Sequence, residues 1–196
     1  GLMLLWSGPV SATHAFGAVV TWTCNPSNPC LITFTFTFYR DCGGINYGNP
    51  PNLSFASLGG ATPVATGAWV GGLIGEITPV CVTQTSNCNG GTFPGIQEFQ
   101  HTRTYDFCAG GVPASSYTAS WTIGDRNNGI TSLAFNGQNM GTVSVIPINP
   151  STCNNSPVFN SIPVLYICDG QTNVFSQGAS DPDGNTLQYS MIGCRE

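Results

Sequence analysis

The chain carries very little charge. Only 7% of its 196 residues are charged, and its four basic residues are all arginine, with no lysine. Nucleic-acid binding needs clustered lysine or arginine, so a net charge of −5 without any basic run argues against a nucleic-acid partner. Low charge does not indicate disorder here, because 41% of the residues are hydrophobic and 11% are aromatic, which suffices for a packed core.

Helical periodicity, long apolar runs and catalytic motifs are also missing. No stretch longer than about ten residues repeats apolar side chains at helical spacing, and none approaches the length that spans a bilayer. The sequence contains no G-x-S-x-G elbow, no H-E-x-x-H pair and no P-loop. We therefore predict no transmembrane segment and no enzymatic activity.

Two-residue alternation is abundant instead. Residues 31–39 read LITFTFTFY, which puts isoleucine and three phenylalanines on one face and three threonines on the other. This alternation predicts a half-buried antiparallel strand. A matching strand at Ala18–Cys24 precedes the turn-forming residues 25–29, so the two strands are predicted to form a hairpin. The fold class is all-β: an antiparallel β-sandwich, immunoglobulin-like or jelly-roll-like, followed by the start of a second cadherin-like β module.

The division of the chain follows from its composition. The N-terminal residues LMLLW and the later VSA resemble the back half of a secretory signal peptide; the alternative is a short buried strand. We predict a signal-peptide remnant at 1–12, a sandwich at 13–150 and an incomplete module at 151–196. Further strands are expected at Ile74–Thr83, Phe99–Cys108, Tyr117–Ile123, Thr142–Ile148, Val164–Cys168, Thr172–Phe175 and Leu187–Met191.

Nine cysteines indicate an oxidising compartment. They lack the C-x2-C spacing of zinc sites, and only two histidines accompany them. The simplest local pairings are Cys24–Cys30 and Cys81–Cys88, although spacing does not fix the connectivity. Cys194 is the expected odd thiol. The disulfide candidates are Cys24, Cys30, Cys42, Cys81, Cys88, Cys108, Cys153 and Cys168.

Two sets of residues are candidates for ligand binding. Asp181, Asp183 and Asn185, beside Asn155 in the preceding linker, offer the oxygen ligands that Ca²⁺ prefers. The alternative is an ordinary Asp-Pro-Asp-Gly turn. In the glycine-rich loop 43–72, Tyr47 and Trp69 are candidates for stacking on a sugar ring.

Both ends of the chain carry recurring motifs. At the N-terminal end these are ATH at 12–14, TWTC at 21–24 and YRDC at 39–42; at the C-terminal end they are NNSPVF at 154–159 and ASDPDGNTLQYS at 179–190. In order and spacing the chain resembles large secreted Bacteroidota proteins of the gliding-motility and type IX secretion-associated kind. The resemblance implies a surface location and modular β architecture, and no particular chemistry.

These observations predict a secreted or cell-surface protein. We expect an extracellular structural or adhesive β domain of the cell surface or of an extracellular fibre; the alternative is a carbohydrate-binding module of a secreted multidomain protein. Calcium is the one expected cofactor. The expected partners are other surface proteins, copies of the same chain, or a polysaccharide. Three strands cannot close a second sandwich, so we expect the chain to continue beyond 196 or to pair with a neighbouring copy.

Overall fold

The computed structural model describes residues 15–44, 46–47, 50–78, 84–123, 140–162, 172, 174, 176 and 178–190. Apart from one 3₁₀ turn at Asn87–Asn89, the regular structure of these residues consists of strands. The strands are β1 (Ala15–Asn25), β2 (Asn28–Asp41), β3 (Ser54–Ala56), β4 (Val64–Ala65), β5 (Val70–Glu76), β6 (Ile96–Asp106), β7 (Ser116–Ile123), β8 (Met140–Pro147), β9 (Val158–Phe159) and β10 (Ala179–Ser180).

The first eight strands form two antiparallel sheets, here called the sandwich. In the first sheet, β2 lies between β1 and β6, and both β4 and β5 pair with the far side of β6. In the second sheet, β7 lies between β3 and β8. Beyond the sandwich, β9 and β10 form a separate two-stranded pair. The all-β antiparallel prediction is confirmed.

The core forms where the phenylalanine face of β2 packs against the second sheet. Phe34, Phe36 and Phe38 are fully buried, whereas the intervening threonines are only partly buried. Trp121 of β7 packs edge-on against Phe36, with ring centroids 4.6 Å apart, and Phe55 of β3 packs against Phe34 at 5.5 Å. Burial of these rings supplies the main hydrophobic stabilisation of the sandwich.

Five of the predicted strands are confirmed, and two differ from the structure. The expected strands at 18–24, 31–39, 99–108, 117–123 and 142–148 correspond to β1, β2, β6, β7 and β8. The strand expected at 74–83 instead begins at Val70 and ends at Glu76, because the glycine-rich backbone before Ile74 pairs with β6. Residues 187–190 are not a strand: Tyr189 folds back and hydrogen-bonds the backbone of Ala179 through its hydroxyl.

The local disulfide pairings are wrong. Cys24 bonds Cys153, Cys30 bonds Cys108 and Cys42 bonds Cys88. The hairpin register places Ile32, not Cys30, opposite Cys24. The two cysteines therefore do not face each other across the hairpin, and each bonds a cysteine from another segment. The backbone carbonyl of Cys30 accepts the Phe107 N–H at 2.9 Å, which brings the next residue, Cys108, alongside.

Several predictions lie outside the described residues. These are the signal-peptide remnant, the odd thiol Cys194, the strand at 164–168, and the cysteines Cys81 and Cys168. Of the segment 172–175, only residues 172 and 174 are described, and neither is in a strand.

Candidate functional site

A covalent joint connects the end of the sandwich to strand β1. The joint consists of residues Cys153–Ser156, which follow β8 and lie against β1. Cys153 is bonded to Cys24, and the Ser156 N–H donates to the carbonyl of Trp22 at 3.0 Å. In return, the Trp22 N–H donates to the Ser156 hydroxyl at 2.9 Å, and Ser156 is only 3% exposed. The segment by which the chain leaves the sandwich is therefore fixed to β1, the strand with which the sandwich begins.

Asn155 links this joint to the tail, the residues from Pro157 onward. Its side-chain Oδ1 accepts the Cys24 N–H at 2.9 Å. Its backbone N–H donates to Asp183 Oδ2 at 2.6 Å, and its Nδ2 donates to Asp183 Oδ1 at 2.8 Å. One asparagine thus connects β1 to a turn 28 residues further along the chain.

The turn that carries Asp183 is held by its own side chains. Asp181 Oδ1 accepts the backbone N–H groups of Asp183 at 2.8 Å and Asn185 at 3.2 Å. Gly184 has a φ of +78°, a left-handed conformation that glycine adopts without strain. Such Asp-mediated turns form without a metal.

The structure brings together the four residues predicted to bind calcium, and hydrogen bonds link them directly to one another. Both carboxylate oxygens of Asp183 accept a hydrogen from Asn155, so a cation at Asp183 would compete with those two donors for the negative charge of the carboxylate. Asn185 Nδ2 also points towards Asp181, with its nitrogen 3.4 Å from Oδ1. Within the described ranges, no group of three or more His, Cys, Asp or Glu residues is placed to hold a metal ion.

The predicted sugar-stacking residues line the core instead of the surface. The Tyr47 ring lies 4.4 Å from the Phe38 ring and 5.3 Å from that of Phe99, and burial raises the pKa of the Tyr47 hydroxyl to about 12. Trp69 is partly buried against the same core. The expectation of solvent-facing loop aromatics does not hold, because both rings pack against the core; Trp69 directly precedes β5, which pairs with β6.

His101 is a buried ionisable residue of the first sheet. It lies on β6 at 7% exposure, its ring centroid 6.0 Å from that of Tyr47, and burial lowers its pKa. Its Nε2 has no hydrogen-bond partner within the described part of the chain. The register could have indicated its burial, since His101 lies directly opposite Phe36.

A second feature lies on the outer face of the first sheet. There the threonine side of β2 and residues 158–162 of the tail enclose a cleft of about 280 Å³. The sequence did not predict this cleft, because it forms between β2 and a tail segment more than a hundred residues further along the chain. The joint brings these two segments close together.

Comparison with known proteins gives one partial similarity. An alignment 98 positions long, which covers 48% of this chain, is 33% identical to "Integrin beta-like protein A" of Dictyostelium discoideum. The chain spans only 5% of the length of that protein. No family model matches the sequence, and no solved structure matches it. Together with the three disulfides, the similarity fits an extracellular or surface protein.

No described helix is long and apolar enough to cross a membrane. The bacterial surface-protein resemblance is not addressed by these comparisons and stays a prediction.

Proposed function

We propose that the chain is a structural or adhesive, non-catalytic β domain of a larger surface protein or extracellular fibre, and that it transmits tension along that protein. One observation carries the proposal: the three disulfides are nested, and the outermost joins the first strand of the sandwich to the segment by which the chain leaves it. The similarity to an integrin beta-like protein supports a surface setting. Its partners are other surface proteins or copies of itself.

The joint determines the path that a pulling force takes. Force entering at Ala15 runs along β1 to Cys24 and crosses the disulfide to Cys153. Strand β1 is already extended, and the two cysteine Cα atoms are 5.5 Å apart. The chain between the two cysteines is therefore bypassed, and the sandwich cannot lengthen under tension even if its core unfolds.

Single-molecule pulling of the full chain, with handles at its two ends, tests the proposal. In the oxidised protein the sandwich should add almost no length. Full reduction should release the 129 residues between Cys24 and Cys153, on the order of 440 Å at full extension. In the Cys24→Ser/Cys153→Ser variant, the Cys30–Cys108 bond still closes a loop of sequence separation 78 within the separation of 129. The oxidised variant should therefore lengthen by about 170 Å.

The innermost disulfide provides the matched control. Cys42→Ser/Cys88→Ser removes a bond that lies wholly within the bypassed loop, so the oxidised extension should be unchanged. An oxidised wild-type chain that lengthens by hundreds of ångströms would show that the joint does not carry the load.

A further inference from the structure

The cleft on the outer face of the first sheet has two chemically different walls. One wall is the sheet itself, where Thr21, Thr35 and Thr37 project from adjacent strands, with Gln100 opposite Thr37 on β6. Directly paired residues in a sheet lie about 5 Å apart and alternate residues of one strand about 7 Å apart. The sheet therefore presents hydroxyl and amide groups, together with threonine methyls, as a regular flat array.

The second wall is formed by the tail and exposes three apolar side chains beside Asn160 and Ser161. Val158, Phe159 and Ile162 line the cleft from the tail side and remain 46%, 52% and 47% exposed. The tail keeps these side chains beside the sheet through the Asn155 links to Asp183, the β9–β10 pairing and the Asn160 N–H bond to the Gly178 carbonyl at 3.0 Å. An exposed aromatic ring is thus held in place next to a row of hydroxyls.

The described residues that line the cleft carry no charge. They are threonine, valine, asparagine, serine, glutamine, isoleucine, phenylalanine and tyrosine. The single ionisable group among them, the Tyr39 hydroxyl, has its pKa raised to about 12 by burial and by the neighbouring Glu98 carboxylate. The described lining is therefore uncharged at physiological pH, which disfavours charged ligands such as phosphates, acidic glycans and basic peptides.

We propose that this cleft binds a neutral saccharide. A pyranose ring presents C–H groups on its two faces and hydroxyls around its rim, which matches an apolar wall with an aromatic ring opposite a wall of hydroxyl and amide groups. The volume of about 280 Å³ lies at the lower end of ligand pockets, enough for one or two sugar rings. Phe159 provides the stacking surface that Tyr47 and Trp69 do not, and Thr35, Thr37 and Gln100 provide hydrogen bonds.

This site is independent of the tension path, because a domain that does not bear load could bind a sugar equally well.

The test titrates the full oxidised chain with four neutral disaccharides: cellobiose, maltose, lactose and N,N′-diacetylchitobiose. We expect saturable binding of at least one of them, followed by heteronuclear NMR, with the largest shift changes at Thr35, Thr37 and Gln100.

Two variants locate the site. Phe159→Ala should weaken binding about tenfold by removing the stacking ring, and Thr37→Val should weaken it about threefold by removing one hydroxyl at constant shape. Thr122→Val is the matched control, because Thr122 is exposed on β7 in the other sheet and its loss should leave affinity unchanged.

Near-UV circular dichroism verifies the fold of each variant. If Phe159→Ala reduces the folded fraction, the affinity of Thr37→Val decides the test by itself. Two results would overturn the proposal: no saturable binding of any of the four disaccharides, or binding that neither Phe159→Ala nor Thr37→Val weakens.

Discussion

The sandwich and the tail are held by different kinds of interaction. In the sandwich, aromatic rings from two sheets are fully buried between them, as Phe36 is against Trp121. In the tail, the only described strands are two residues long, and both residues of β9 are exposed. The tail is positioned by Asn155 and Ser156, which connect it to β1. The comparison teaches that one region folds by burying its own surface, whereas the other takes its position from a joint to its neighbour.

The largest expected effect separates the two regions directly. Phe36→Ala should lower the free energy of unfolding by about 3–5 kcal/mol, because it leaves a cavity between the sheets. Val158→Ala is the control in the tail, and since Val158 is exposed it should cost less than about 0.5 kcal/mol. Urea unfolding followed by tryptophan fluorescence measures both. Equal losses would mean that the tail has a core of its own.

Breaking the covalent joint should have the next largest effect. Cys24→Ser/Cys153→Ser should lower the free energy of unfolding by about 2–4 kcal/mol, because the unfolded chain regains the freedom of a long loop. The tail should also become more susceptible to limited proteolysis, since its anchor to β1 is weakened. A variant with unchanged stability and an equally resistant tail would contradict the role assigned to the joint.

Asn155 should matter to the tail more than to the sandwich. Asn155→Ala removes the bonds to Asp183 Oδ1 and to the Cys24 N–H, and we expect a loss of about 1–3 kcal/mol in local stability. Hydrogen exchange should show the loss as faster exchange near Asp183. Asn154→Ala is the neighbouring control, because its longer bonds, at 3.1 and 3.3 Å, stay within the joint and tail.

Acid should weaken the sandwich through His101. Burial lowers the pKa of this histidine in the folded state, so the unfolded chain takes up the proton first as the pH falls below about 6.5. Stability is therefore highest above that pH and is lost as the pH falls towards the folded-state pKa. His101→Phe should reduce this loss, measured as the difference in urea midpoint between about pH 7.5 and about pH 5. An identical pH dependence in the variant would assign the effect to other groups.

Calcium should give the smallest effect. Binding at Asp181 and Asp183 stays a prediction, and in the wild type the cation competes with the two Asn155 donors for the charge of Asp183. Melting temperatures with Ca²⁺ and with a chelator should therefore differ little. Asn155→Ala removes the side-chain donor from Asp183 Oδ1, while the backbone N–H stays on Oδ2, and should enlarge the difference. Asp183→Ala should abolish it. A wild-type shift larger than that of Asn155→Ala would show that the two donors do not compete with the metal.

Several parts of the fold and the site were predictable because they depend on near neighbours in the chain. The alternation at 31–39 predicted which face of β2 would be buried, and the turn residues at 25–29 predicted its hairpin with β1. The acidic turn and Asn155 were also predicted to come together, and they do. What the pattern could not predict is that Asn155 would donate two hydrogen bonds to Asp183, because the orientation of an amide depends on the groups around it.

The sequence by itself determined the strand-rich fold and the content of the core, because a two-residue period permits only one burial pattern along a strand. Tertiary structure decided which cysteines pair, that Tyr47 and Trp69 turn inward, and that a cleft forms between β2 and the tail. Each of these depends on which distant segments become neighbours. The packing of the two sheets and the Cys24–Cys153 disulfide determine which segments become neighbours, and no local pattern in the chain encodes this.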